Sequence, residues 1–122
     1  MNHEKIYHMT FKELYPLYVQ KALRKDRTED EVIDLMLWLT GYSIDEFKRI
    51  LNSTINVESF FMDAPAFNPQ SELIKGKICG VNIEDIKDTR MKRIRILDKM
   101  IDELAKGKTL QKIKRSAELS HK

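Results

Sequence analysis

A thiol acts as a nucleophile when its pKa is lowered and a base is close by, and the single cysteine of this 122-residue chain, Cys79, has no such setting. Its neighbours Ile78, Gly80 and Val81 are apolar or small and raise a thiol pKa, so the sequence predicts a buried, structural cysteine. His3, His8 and His121 stand near the termini with no Cys or His partner at metal spacing, which gives neither a structural zinc site nor a Ser-His-Asp arrangement. Asp98 and Asp102 lie four residues apart on one helical face, as a metal-binding or acid/base pair requires. Arg95, Lys99 and Lys106 flank them, and surface ion pairs are the expected use. Glu84, Asp85 and Asp88 precede a long helix, where negative charge suits the positive end of the dipole. Gly76 and Gly80 are too few for a dinucleotide fingerprint, and no Gly-Lys-Ser/Thr closes a phosphate loop. No catalytic residue, cofactor or metal is therefore assigned.

Charge is distributed unevenly. Residues 1–66 hold eight Lys and Arg against eleven Asp and Glu, a net of −3, whereas residues 67–122 hold fourteen against eight, a net of +6. Within the basic half, Lys92, Arg95 and Lys99 share one helical face, and Lys106, Lys108 and Lys112 follow. Such a stripe could run along a phosphate backbone, although no aromatic residue interleaves it for base stacking. A helix-turn-helix reading of residues 29–52 would place Asp45 and Glu46 against phosphates with the wrong sign. A solvated face is the expectation, with nucleic-acid contact as the alternative. Tyr42 and Phe67, on connections beside Gly41 and Pro65, either pack over the core or line a small-molecule cleft, and packing is expected.

Several elements must position these residues. Thr10 with Glu13, Thr28 with Glu31 and Ser43 with Glu46 have the spacing of capping boxes, so three helix starts are written locally. Pro16 would break the first helix, predicting a short turn from Thr10 and a main helix from about Pro16 to Lys25. Residues 32–39 are apolar except for Asp34, which predicts a central helix from Glu29 to Thr40 with Trp38 fully enclosed as its largest contribution. Gly41 ends it, and Ser43 starts the next helix, which presents Phe47, Ile50 and Leu51. Asn56 can cap a short helix carrying Val57, Phe60 and Phe61, and Asn68-Pro69 has the form of a cap and first helical residue. Cys79, Val81 and Ile83 alternate as in a strand, but with Gly76 and Gly80 interrupting, residues 77–83 read as loop and helical turn, at most a minimal two-stranded ribbon. From Asp88 to Lys106, Ile94, Leu97, Ile101 and Leu104 form an amphipathic stripe, predicting a long peripheral helix that Gly107 ends before a short one capped by Thr109. The expectation is an all-α, compact single-domain bundle of about six helices spanning 1–122, with an ordered core at about 6–115 and a polar tail at 116–122. The longest apolar run, Leu35 to Leu39, is far short of the about 20 residues of a membrane span, and one lone cysteine fits the reducing cytoplasm.

The strings Tyr15-Pro16-Leu17-Tyr18-Val19, Trp38-Leu39-Thr40-Gly41-Tyr42, Ala64-Pro65-Ala66-Phe67-Asn68-Pro69, Ile78-Cys79-Gly80-Val81, and Leu97-Asp98-Lys99 through Lys108 are collinear motifs. Through them the chain, from about Ile6 to Arg115, resembles a small bacterial family catalogued as domain of unknown function 2200. It departs from the family pattern at Asp26, where that pattern has Gly, and at Thr89, where it often has Pro. The resemblance implies a bacterial, cytoplasmic protein and transfers no activity and no site residues. The expected function is a small non-enzymatic binding or adaptor module, working through a protein partner or through self-association, with no membrane contact. The competing readings are a nucleic-acid-binding accessory protein and a small enzyme with a pocket assembled from separated segments.

Overall fold

A computed structural model describes residues 3–115, and the expected tail at 116–122 lies outside them. Among the described residues the chain forms α1 (His3–His8), α2 (Phe11–Leu23), α3 (Glu29–Thr40), α4 (Ile44–Leu51), α5 (Val57–Met62), α6 (Thr89–Ala105) and α7 (Leu110–Ile113). A two-stranded ribbon, β1 (Lys77–Ile78) and β2 (Val81–Asn82), and short 3-10 turns at Pro69–Leu73 and Ile83–Asp85 fill the stretch before α6. No helix of the described residues is long and apolar enough to cross a membrane.

Local chemistry accounts for most of the starts. All three capping boxes form, with Thr10, Thr28 and Ser43 each accepting from the backbone N–H of the glutamate three residues on while that glutamate returns a bond to the cap. Asn56, Asn68, Asp88 and Thr109 cap their elements in the same sense. The expectation of a break at Pro16 is wrong: α2 runs through it without interruption. Lys12 and Pro16 are both exposed, so the carbonyl that loses its donor lies on the solvent side, while Phe11, Leu14, Tyr15 and Tyr18 bury the opposite face. The capping box fixes the first turn, and burial of those four side chains outweighs one missing hydrogen bond.

Packing corrects which helix is central. α2 touches α3, α4, α5 and α6, and α6 is packed by α2, α3, α5, α7 and β1. Far from being peripheral, α6 buries Met91, Ile94, Ile96, Leu97, Met100, Ile101, Glu103 and Leu104. α3 buries Val32, Leu35, Met36 and Leu39 completely, but Ile33, Leu37 and Trp38 are only half-buried at its margin. Within the one core an aromatic group joins α2, α4 and α5: Phe11 stacks on Phe60 at 3.7 Å between centroids, and Phe47 meets Phe11 and Tyr15 edge-on at 5.9 and 5.6 Å.

Two pieces of backbone stitching complete the fold. Phe11 N–H donates to Ile55 O (2.9 Å) and Val57 N–H to Met9 O (2.8 Å), which fastens the start of α2 to the start of α5 and seats α1 beside α5. Lys77 pairs with Asn82 and Ile78 with Val81. The intervening Cys79 (φ 53°) and Gly80 (φ 81°) form the left-handed pair that a two-residue hairpin requires. Cys79 is therefore exposed at the tip of a turn, and the expectation that it is buried is overturned. The alternation of Cys79, Val81 and Ile83 runs across residues that reverse the chain, and the minimal ribbon is all the strand that forms.

Candidate functional site

Tertiary structure distributes the six cations of the sequence stripe over two regions. On the middle of α6, Lys92 faces Glu72 at 3.7 Å, Arg95 pairs with Asp98 at 2.9 Å, and Lys99 Nζ donates to Lys77 O at 3.2 Å. These three do share a face, but its charge is met by groups from the Pro69–Leu73 turn, the ribbon and α6 itself. Lys106 pairs with Asp102 (3.1 Å) and Lys108 with Glu103 (3.5 Å), both at the far end of α6, while Lys112 is exposed on α7. Asp98 and Asp102 are held as ion pairs, as their flanking cations suggest, with Lys21 adding a second contact to Asp102 at 3.3 Å.

Buried polar groups are arranged as ties between helices. Tyr15 Oη donates to Glu29 at 2.6 Å, Tyr18 Oη to Asp98 at 2.6 Å, and Tyr7 Oη to Asp88 at 3.3 Å. Burial first, and the adjacent carboxylates second, raise all three phenols above their ordinary pKa. Arg27 bridges α3 to the end of α6, giving two hydrogen bonds to Glu31 (3.2 and 2.8 Å) and one each to Leu104 O and Lys108 O (3.0 and 2.8 Å). Buried Glu103 receives both ends of the Arg115 guanidinium at 2.7 and 3.0 Å. Tyr42 Oη donates to Phe60 O (2.8 Å), and Phe67 lies under the Arg93 guanidinium at 4.2 Å; both rings pack against the core, and each also borders a surface concavity, of about 510 and about 240 Å³ respectively.

The Arg27–Glu31 pair gives a pH prediction. The hydrogen bond from Arg27, then that from the Thr28 amide, lowers Glu31 from 4.5 to about 2. A carboxyl depressed in the folded state adds stability that is complete above its unfolded pKa and is lost as pH falls through the folded one. Melting temperature is expected to decline between pH 4.5 and about 2, with Glu31→Gln starting lower at neutral pH and descending less steeply. Parallel descents in the two proteins would remove Glu31 from the acid transition.

Two concavities were not anticipated. A groove of about 850 Å³ opens between α1 and α2, lined by Ile6, Met9, Leu14 and Leu17 and bordered by Lys5, His8 and Glu13. Leu17 is 55% exposed there. The three-residue spacing of Ile6 to Met9 and of Leu14 to Leu17 was the available signal, but it means little until α1 is known to be a helix. The second, of about 540 Å³, lies where α2 and α6 end and is lined by Lys21, Arg24, Lys25, Asp102, Ala105 and Lys106. Three of its four cations come from the acidic half of the chain, so charge counted along the sequence could not locate it. No group of three or more His, Cys, Asp or Glu suited to a metal occurs among the described residues.

Comparison with known proteins adds kinship without an activity. The model of a family described as an uncharacterized protein conserved in bacteria (DUF2200) matches residues 5–115. The crystal structure of an uncharacterized protein, SP1917, is similar over 99% of this chain and 98% of that one, with 40% identity and a TM-score of 0.90. No curated protein matches the chain.

Proposed function

The chain belongs to the uncharacterised bacterial family DUF2200, and we propose that it is a non-enzymatic binding module whose docking face is the α1–α2 groove, filled by a second copy of itself. The observation that carries this reading is the juxtaposition of an apolar groove with an exposed leucine, Leu17, on one of its walls. A groove and a projecting apolar side chain on the same face are self-complementary under a two-fold axis, as an isologous interface demands. Charge fits the same operation. The α1 wall carries Lys5 and the α2 wall carries Glu13, so a copy turned about an axis along the groove sets each wall against its opposite.

The titrating groups support binding over catalysis. Among the described residues every carboxyl with a shifted pKa, namely Glu31, Glu46, Glu84, Asp88 and Asp102, is shifted downward. These are anions fixed by cations and backbone amides, the opposite of the raised carboxyl that a general acid needs. A cytoplasmic setting accords with the lone thiol exposed on the hairpin tip, which an oxidising compartment would cross-link or oxidise.

Light scattering is expected to give a mass near twice 14.4 kDa, and Leu17→Glu, which changes an exposed side chain, is expected to give a folded monomer. A monomeric unmodified chain at high concentration rejects the reading.

A further inference from the structure

Four cations line one cleft where the C-terminal ends of α2 and α6 meet, and two of them pair with its single carboxylate, Asp102. Lys21 Nζ lies 3.3 Å from Asp102 Oδ1 and Lys106 Nζ 3.1 Å from Oδ2, so each ammonium takes a separate oxygen. Arg24 and Lys25 are exposed on the same rim, and neither side chain has an acidic partner among the described residues. Like charges held around one concavity repel, and a concave wall with an excess of one sign raises the local concentration of counter-ions.

Helix ends usually oppose an anion, because their free carbonyls are negative. Here most of them are hydrogen-bonded within the chain. Arg24 and Lys25 amides donate to Gln20 O and Ala22 O, Asp26 to Leu23 O, and the Arg27 guanidinium takes Leu104 O. What faces the cleft is three units of positive charge in excess of Asp102.

We propose that this cleft binds a small oligophosphate anion, recognised through its phosphoryl oxygens. A volume of about 540 Å³ suits a short run of phosphates. A polynucleotide is disfavoured by two observations: Lys92, Arg95 and Lys99, the cations that would extend a track along α6, are engaged by Glu72, Asp98 and Lys77 O, and no aromatic ring lines the cleft to stack a base. Arginine and lysine together suit the task, one as a planar fork and the others as mobile point charges.

The site shares no residue with the α1–α2 groove, so either proposal can fail alone. Calorimetric titration of the full chain with tripolyphosphate at about 0.1 M ionic strength, where the screening length is about 10 Å, is expected to show saturable binding to one site per chain. The double variant Arg24→Gln, Lys25→Gln is expected to bind about tenfold more weakly, the loss of two charge-assisted contacts, while melting unchanged in the absence of ligand. Lys48→Gln, Arg49→Gln, which removes the same charge from α4, is expected to leave the affinity within about twofold. The proposal is overturned by an absence of saturable heat, by equal weakening in the two double variants, which would mean attraction by net charge alone, or by an oligonucleotide that binds more tightly than tripolyphosphate.

Discussion

Truncating Phe60 to alanine is expected to destabilise the protein by about 3–5 kcal/mol, the range for a fully enclosed phenylalanine whose cavity cannot close. Phe60 is wholly buried. Its ring stacks on Phe11 at 3.7 Å and on Tyr42 at 5.2 Å, and meets Phe61 and Phe47 edge-on at 5.1 and 6.2 Å. Those neighbours belong to α2, α4, α5 and the connection after α3, so closing the void would require several helices to move at once. Trp38→Ala is expected to cost less, about 1–2 kcal/mol, because its ring is half-buried at the margin of the core and gives up correspondingly less apolar area. Urea midpoints compared at unchanged m-value measure both. A Trp38→Ala loss equal to that of Phe60→Ala would restore to α3 the organising role that the aromatic cluster holds in this structure.

What could be read from the sequence follows the range of each interaction. Capping is completed within three residues, so Thr10, Thr28, Ser43, Asn56, Asn68, Asp88 and Thr109 were readable as starts, as was the left-handed residue that ends α3. Burial is decided elsewhere. The apolar density of residues 32–39 suggested the centre of the molecule, but how many sides of a helix are covered depends on its neighbours, and α2 and α6 have more of them. Pro16 shows the same limit from the other direction: a local rule against continuing the helix yields to four buried side chains on the far face. The cationic stripe was co-facial as its spacing required. Spacing along α6 could not reveal that Glu72 and the Lys77 carbonyl, brought from other elements, would neutralise it, nor that Lys21, Arg24 and Lys25 would join Lys106 instead.

Gly41→Ala is expected to lose about 2–5 kcal/mol, through two effects that compound. Gly41 ends α3 at φ 82°, where an L residue with a Cβ costs about 1–2 kcal/mol. A Cβ at this site would also stand 2.7 Å from Ala66 Cβ, 2.9 Å from Ala66 N and 3.0 Å from Ala66 O, and crowding of that kind in a packed region typically costs about 1–3 kcal/mol. Ala66 cannot retreat cheaply, because residues 66–68 close the end of the helix. Ala66 N–H donates to Thr40 O at 3.1 Å, Asn68 N–H to Leu39 O at 2.8 Å and Asn68 Nδ2 to Trp38 O at 3.3 Å. Three terminal carbonyls of α3 thus depend on the segment the new methyl would displace, and leaving them unmade in a half-buried setting adds to the loss. This arrangement also explains why Trp38-Leu39-Thr40-Gly41-Tyr42 and Ala64-Pro65-Ala66-Phe67-Asn68-Pro69 belong together: the second string is the C-terminal cap of the helix that the first completes. Asn68→Ala should then reproduce part of the destabilisation without any change at Gly41, and combining it with Gly41→Ala should cost less than the sum, since both act on the same carbonyls. Additive losses in that double-mutant cycle would separate the two strings and leave the strain at Gly41 as the whole effect.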